Sequence, residues 1–321
     1  MKTAEEIYGI ALRTINEEAT AIGQLSKYIT NDFVRAIDLI LAAKGRVIVT
    51  GIGKSANIAA KIVSTFNSTG TPAIFMHAAD AIHGDLGMIR PDDVLICLSK
   101  SGDTPEIKVL VPLLKLMGNK LIALVGNTES FLARNADIVI NSTVEREACP
   151  NNLAPTASTT AQLVMGDALA VALLECRGFT QEDFARYHPG GALGKRLYLR
   201  VSELYKNNEK PEVQYDDDMR SVILEISSKR LGATAVLKGQ TLVGIITDGD
   251  IRRMLHREEP VHQLKAADIM TRDPQTINAD ILVADALDLM RKNNITQILV
   301  LEEGHYAGVI HLHDILKEGV I

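Results

Sequence analysis

The stretch Ser99-Lys100-Ser101-Gly102-Asp103-Thr104-Pro105-Glu106 gathers residues suited to holding an anion. Ser99, Ser101 and Thr104 place hydroxyls in a turn that leads into a helix. Thr104 suits the cap, Pro105 the first turn and Glu106 the positive end of the helix dipole. Hydroxyls and unpaired N–H groups at such a turn are what a phosphate dianion needs, although an ordinary well-capped loop uses the same residues. Pro155-Thr156-Ala157-Ser158-Thr159-Thr160 is a second hydroxyl-rich helix start, and it offers either another oxyanion contact or a cap.

Other segments carry groups that can move protons or bind ions. Gly51-Ile52-Gly53-Lys54-Ser55 delivers a lysine to a strand end. Its glycine spacing is too short for the phosphate loop of nucleoside triphosphatases. With Ala56 it meets a loose dinucleotide pattern, but the next strand runs into His77 and not into the acid that would hold a ribose. Nicotinamide binding is therefore disfavoured. His77 and His83 flank one loop, where two imidazoles either ligate a metal or stay solvated. In Glu145-Arg146-Glu147-Ala148-Cys149-Pro150 a carboxylate is a base or a member of a surface charge cluster. His188-Pro189-Gly190-Gly191 sets an imidazole, which titrates near neutrality, in a turn whose glycine pair permits close backbone approach.

These residues need a scaffold, and the pattern supplies one. Apolar positions Ile7, Ile10, Ala11 and Ile15, then Phe33, Ile37 and Leu41, recur at helical spacing, with Asn31-Asp32 as break and recap. Val/Ile/Leu-rich runs at 46–50, 73–76, 93–98, 120–125 and 137–141 then alternate with helical stretches at 55–69, 104–117 and 130–135. The expected class is α/β, a five-stranded parallel sheet flanked by helices, with ligands at the carboxyl ends of its strands. A long apolar helix follows from 157 to about 177. The polar run Asn207-Asn208-Glu209-Lys210-Pro211 reads as a domain boundary. Beyond it Gly244-Ile245-Ile246-Thr247-Asp248-Gly249-Asp250-Ile251 aligns with Gly308-Val309-Ile310-His311-Leu312-His313-Asp314-Ile315. Two β-α-β-β-α units are implied, each too small to bury its own faces. The expected domains are 1–206, 207–271 and 272–321.

Composition narrows the class. The chain has 321 residues, 46% hydrophobic and 23% charged, with a net charge of −6 and no basic stripe, which argues against nucleic acid as a partner. Its 3 cysteines lie far apart without metal or disulfide spacing, as in a reducing cytoplasm. No signal pattern opens the chain and no apolar run looks long enough for a bilayer, so a cytoplasmic protein without a membrane partner is expected.

Taken together, the motifs resemble the sugar isomerase (SIS) family, and their order resembles its D-arabinose-5-phosphate isomerases. The stretches that carry the likeness are 51–55, His83-Gly84-Asp85-Leu86-Gly87, 99–106, 147–150, 155–160 and His188-Pro189-Gly190-Gly191-Ala192-Leu193-Gly194. The C-terminal repeat looks like a tandem cystathionine-β-synthase-type (CBS) pair. The resemblance implies interconversion of D-ribulose 5-phosphate and D-arabinose 5-phosphate through an enediol, without a cofactor, supplying the eight-carbon acid Kdo of lipopolysaccharide. It implies catalytic roles for Lys54, Glu106, Glu147 and His188. Lys54 would stabilise an oxyanion, His188 would open the sugar ring or exchange a hydroxyl proton, and Glu147 would shuttle the proton with its pKa raised by burial. Substrate contacts are implied for Ser55, Gly70, Thr71, His77, His83, Ser99, Ser101, Thr104, Thr156 and Ser158. An inhibitory zinc is implied at His77, as is a homotetramer in which the His188 loop reaches a neighbouring subunit. In the repeats Thr247 would face a nucleotide phosphate and Asp250 its ribose, the ligand being a nucleotide or nucleotide sugar. The second copy keeps Asp314 but has His311 in place of the threonine. The rival readings are a non-catalytic sugar-phosphate sensor and an isomerase of a different ketose phosphate.

Overall fold

In the computed structural model, which describes residues 1–256 and 259–320, the chain forms two compact units that divide between Thr180 and Gln181. The first opens with α1 (Ala4–Gln24), started by a Thr3–Glu6 capping box, and α2 (Asn31–Ala42). Strands and helices then alternate: β1 (Val47–Gly51), α3 (Lys54–Ser68), β2 (Ala73–His77), α4 (Ala78–Ala81), β3 (Val94–Ser99), α5 (Pro105–Met117), β4 (Lys120–Val125), α6 (Phe131–Asn135), β5 (Ile138–Asn141) and α7 (Ala157–Cys176). The five strands are parallel in the order β2-β1-β3-β4-β5. Because β3 lies on the opposite side of β1 from β2, the connections diverge between β1 and β3, and a crevice opens there.

Both faces of the sheet are covered, and the strand period shows why. In β3, Val94, Ile96 and Leu98 enter one core with Ile62, Phe66 and Met165, while Leu95 and Cys97 enter the other with Ile107, Leu110 and Leu114. Helix α7 meets the length and composition of a membrane span, with mean hydropathy 1.4, contrary to the expectation that no run is long enough. Half of that window is buried in the first unit, where Gly166 takes Ile62 against its backbone. The break between α1 and α2 also differs from expectation. A short 3₁₀ turn (Leu25–Tyr28) closes the first helix, and Thr30 caps the second by accepting from Asp32 N–H. Although α1 has the expected period, Ile7 and Ile15 on it are exposed.

The second unit contains α8 (Gln181–Tyr187), α9 (Ala192–Tyr198), α10 (Val201–Tyr205), β6 (Glu212–Gln214), α11 (Met219–Lys229), β7 (Ala233–Lys238), β8 (Thr241–Thr247) and α12 (Asp248–Met254). After these come α13 (Ala266–Ile269), β9 (Thr271–Arg272), β10 (Thr276–Asn278), α14 (Val283–Asn293), β11 (Gln297–Glu302), β12 (His305–His311) and α15 (Leu312–Lys317). The expected β-α-β-β-α order occurs twice, as β6-α11-β7-β8-α12 and β10-α14-β11-β12-α15. Irregularities between Val236/Leu237 and Val300/Leu301 occupy equivalent places in the two hairpins.

The division between units falls earlier than the polar stretch at 207–211. Val201, Leu204 and Tyr205 of α10 are buried among Ile277, Val283, Ile298 and Ile310 of the second repeat, so 181–206 belongs with the repeats. Symmetrically, α13 precedes the second repeat in sequence but packs with Val213, Met219 and Ile246 of the first. Each repeat thus lends its leading helix to the other, a cross-packing that local sequence does not reveal.

Candidate active site

The strand ends of the first unit gather several expected residues. Register sets Gly51 opposite both His77 and Leu98, which brings the loops after β1, β2 and β3 side by side. Lys54 begins α3 and is exposed, and Ser55 is half-buried in the same first turn. Glu106 is half-buried in the first turn of α5. Among the described residues neither Lys54 nor Glu106 has an ion-pair partner, so both charges are available to a ligand.

In the loop after β3 two serine hydroxyls take the backbone N–H groups of the turn. Ser99 is buried, and its Oγ accepts from Gly102 N–H at 2.9 Å; Ser101 Oγ accepts from Asp103 N–H at 3.3 Å. Gly102 adopts φ +68°, and its carbonyl accepts from Leu132 N–H at 3.0 Å, which ties the loop to α6. Thr104 stands at the cap position of α5, but its side chain makes no cap bond and its hydroxyl is buried without a partner. His77 Nδ1 is likewise buried and unbonded, 3.6 Å from Asp80 Oδ2. Buried polar atoms are nearly always satisfied, and these two orphans lie at the ends of β2 and β3, the strands on either side of β1. His83 is exposed in the turn after α4, its N–H donating to Asp80 O. Among the described residues no group of three or more His, Cys, Asp or Glu side chains could hold a metal.

Glu147 is the most constrained group. Its side chain is fully buried, and Lys100 Nζ donates to Oε1 at 2.6 Å, as does Ser158 Oγ at 2.5 Å. Oε2 accepts from Thr156 N–H at 2.8 Å, Thr156 Oγ1 at 3.2 Å and Ser158 N–H at 3.1 Å. The carboxylate therefore occupies the N-terminus of α7. The loop between is ordered by Asn152, whose Oδ1 accepts from Glu147 N–H at 2.7 Å, and by Cys149 Sγ, which accepts from Leu153 and Ala154 N–H. Burial pushes the Glu147 carboxyl up, but hydrogen bonds from Lys100, Ser158 and Thr156 outweigh it and draw the pKa down to about 2. The expectation of a raised pKa is thus corrected. Thr156 and Ser158, expected to touch substrate, here direct their donors to Glu147. Lys100, which sequence reasoning passed over inside its own motif, is the cation at this centre.

Two expected contacts lie elsewhere. Gly70 and Thr71 precede β2, at the edge of the sheet opposite the strand ends, so within one chain they do not join this site. A Cβ on Gly70 would strike the Phe179 ring at 2.7 Å, and the Thr71 hydroxyl is buried without a partner.

His188 belongs to the second unit. Its ring stacks on Phe184 with centroids 3.9 Å apart, and Nδ1 lies 2.9 Å from Phe184 O. A carbonyl only accepts, so Nδ1 carries the proton and Nε2 is left for acid–base work. The glycine that shapes this turn is Gly194, where a Cβ would lie 2.3 Å from His188 O, and not the Gly190-Gly191 pair. In the repeats, Thr247 Oγ1 donates to Asp250 Oδ2 at 2.6 Å, and Arg253 reaches Asp250 Oδ1 at 2.5 Å. His311 replaces threonine as a cap: its Nδ1 accepts from His313 N–H at 3.0 Å, and Asp314 Oδ2 accepts from His311 N–H and from Asn208.

The geometry now has relatives to be set beside. The SIS domain family matches residues 40–172, and the CBS domain family matches 201–257 and 266–320. Arabinose 5-phosphate isomerase KdsD of Pseudomonas aeruginosa is 48% identical over 314 residues, covering 97% of this chain and 96% of that protein. The chain belongs to the arabinose 5-phosphate isomerase family. Its Escherichia coli K12 member, also named arabinose 5-phosphate isomerase KdsD, is 46% identical over 306 residues, 95% of this chain and 93% of that one. A solved structure, E. coli CFT073 c3406 in complex with arabinose 5-phosphate, is 40% identical, covering 59% of this chain and all of that one with a TM-score of 0.57.

Proposed function

We infer that the protein interconverts D-arabinose 5-phosphate and D-ribulose 5-phosphate at the β1/β3 crevice of its first unit. The observation that carries this reading is the conjunction there of a hydroxyl loop with an orphaned Thr104, a free Lys54 and a buried carboxylate beside a lysine. The relatives that share nearly the whole chain carry the same activity in their names. The chemistry balances without a redox cofactor. A carboxylate takes the C2 hydrogen of the open aldose as a proton, the C–H pair forms C1=C2, and O1 takes a proton to give the enediol. The same group then returns its proton to C1, while O2 releases one and becomes the ketone. Lys54 stabilises the oxygen anion.

Incubating the purified chain with arabinose 5-phosphate, ribose 5-phosphate and glucosamine 6-phosphate in chelator tests the reading. Ketose is expected from the first sugar alone. Turnover of another sugar in its place points to a sister isomerase, and binding without turnover to a sensor.

Supply of an eight-carbon acid pathway in the cytoplasm completes this proposal, and the free cysteines Cys97, Cys149 and Cys176 agree with a reducing compartment. A homotetramer belongs to it as well: self-association would cover Ile7, Tyr8, Leu12 and Ile15, which α1 leaves exposed. The repeats would then take a nucleotide or nucleotide sugar through Thr247, Asp250 and Asp314, whose present bonds are the ones a ribose and phosphate would replace. Sedimentation of the full chain with and without adenine and cytidine nucleotides checks both ideas. A monomer overturns the first, and no heat in parallel calorimetry overturns the second.

A further inference from the structure

The two oxygens of the Glu147 carboxylate are held in different ways. Oε2 takes three bonds, all from Thr156 and Ser158 at the start of α7, so it cannot be released without unmaking a helix terminus. Oε1 takes Ser158 Oγ and Lys100. Lys100 comes from a different element, the loop after β3, and its side chain is 46% exposed while that of Glu147 is 0% exposed. Lys100 therefore closes the way to the carboxylate, and it alone of the partners reaches solvent on a long flexible stem. It is also flanked by Ser99 and Ser101, in the loop assigned above to the sugar phosphate.

We propose that Lys100 is a positioning residue that changes partners during the reaction. It covers Glu147 in the empty site and moves to the phosphate of the arriving sugar, which uncovers Oε1 for the C2 hydrogen. The inference rests on the isomerase reading of this site and adds a residue to it. A phosphate dianion offers more charge and more acceptor oxygens than a carboxylate already taking four other bonds, so it is the stronger partner for the ammonium. A compact ammonium on a four-carbon stem makes such a move without the planar fit a guanidinium requires. Among the described residues Lys100 is the charged side chain that contacts Glu147; α7 presents Thr156 and Ser158, and the segment of Glu147 itself presents Asn152, which bonds its backbone. Once the ammonium has left, the first of the bonds that hold the carboxyl down is gone while those from Thr156 and Ser158 remain, so the group becomes more basic.

The experiment follows the ¹³C resonance of the Glu147 carboxyl, identified by its loss in Glu147→Gln, between roughly pH 4 and pH 7 in the full chain. The probe is 5-phosphoarabinonate, an acid analogue that cannot isomerise, with its binding verified by calorimetry. The free parent is expected to show a flat trace, fully ionised, and the bound parent a titration inside the window. Lys100→Met should titrate inside the window with or without the probe, and Lys100→Arg should restore the flat free trace. In kinetics, Lys100→Met should raise KM for arabinose 5-phosphate ~10–100-fold with a smaller change in kcat, as loss of a charge-assisted phosphate bond requires. A flat trace in the bound parent or in Lys100→Met overturns the partner exchange while leaving the isomerase reading intact. A parent that neither binds the probe nor turns over arabinose 5-phosphate overturns that reading, and the exchange with it.

Discussion

Glu147→Gln is expected to lower kcat for arabinose 5-phosphate by ~10²–10⁴-fold, the usual weight of a positioned general base. Glutamine has the same shape, and its Oε can still accept from Thr156 and Ser158 N–H, so the start of α7 survives. It cannot take a proton, and its amide turns a donor toward the Lys100 ammonium, which already lies 2.6 Å from Oε1 in the parent. The loss should fall on kcat with KM nearly unchanged, read by steady-state ketose formation. Turnover within a few-fold of the parent would pass the role to Glu106.

The same variant isolates an acid-stability effect whose sign follows from the direction of the shift. The Glu147 pKa is about 2 in the folded chain against an ordinary 4.5, so the unfolded chain takes up the proton first as pH falls. The stabilisation is complete above about 4.5 and disappears as pH drops through about 2. Allowing for the half-exposed Lys100, it amounts to about 2 kcal/mol. Denaturant melts of the parent should weaken between roughly pH 5 and pH 3 more steeply than those of Glu147→Gln. Parallel slopes would mean that other carboxylates carry the acid sensitivity.

Elements whose signal is local were legible in the sequence. β4 occupies the expected 120–125, because Leu121 to Val125 alternate between two cores and Gly118 ends the helix before them. The α2 cap was misplaced by one hydroxyl: Thr30 takes the position expected of Asn31-Asp32, and all three are good capping types. The unit boundary was not legible, because α10 is held by residues far along the chain, from Ile277 to Val320. The state of Glu147 was hidden for the same reason. Sequence shows an acid in a loop, but the direction of its pKa depends on Lys100 from another strand end and on the terminus of α7, which only the fold assembles. Lys100 was visible as a residue and invisible as a partner.

Gly102→Ala is expected to raise KM for the sugar phosphate ~10²-fold or more, because Ser99, Ser101 and Thr104 hang from the turn that this residue shapes. Its backbone adopts φ +68°, and an added Cβ would lie 2.1 Å from Ser130 Oγ and 2.5 Å from Ser130 Cβ. Ser130 cannot easily retreat, since its Oγ accepts from Ala133 N–H at the start of α6. The loop cannot easily retreat either. Gly102 donates to Ser99 Oγ and accepts from Leu132 N–H, so a shift that admits the methyl breaks one of these bonds. Left-handed strain and overpacking together should cost about 2–4 kcal/mol, read as a lower denaturation midpoint. Gly118→Ala separates the two contributions: φ there is +82°, yet no atom lies within 4 Å of the Cβ position, so strain enters without a clash. That control should lose about 1 kcal/mol and keep its KM. If folded Gly102→Ala also kept its KM, the hydroxyl loop would not be the phosphate contact, and the anion would have to be sought at the first turn of α3 instead.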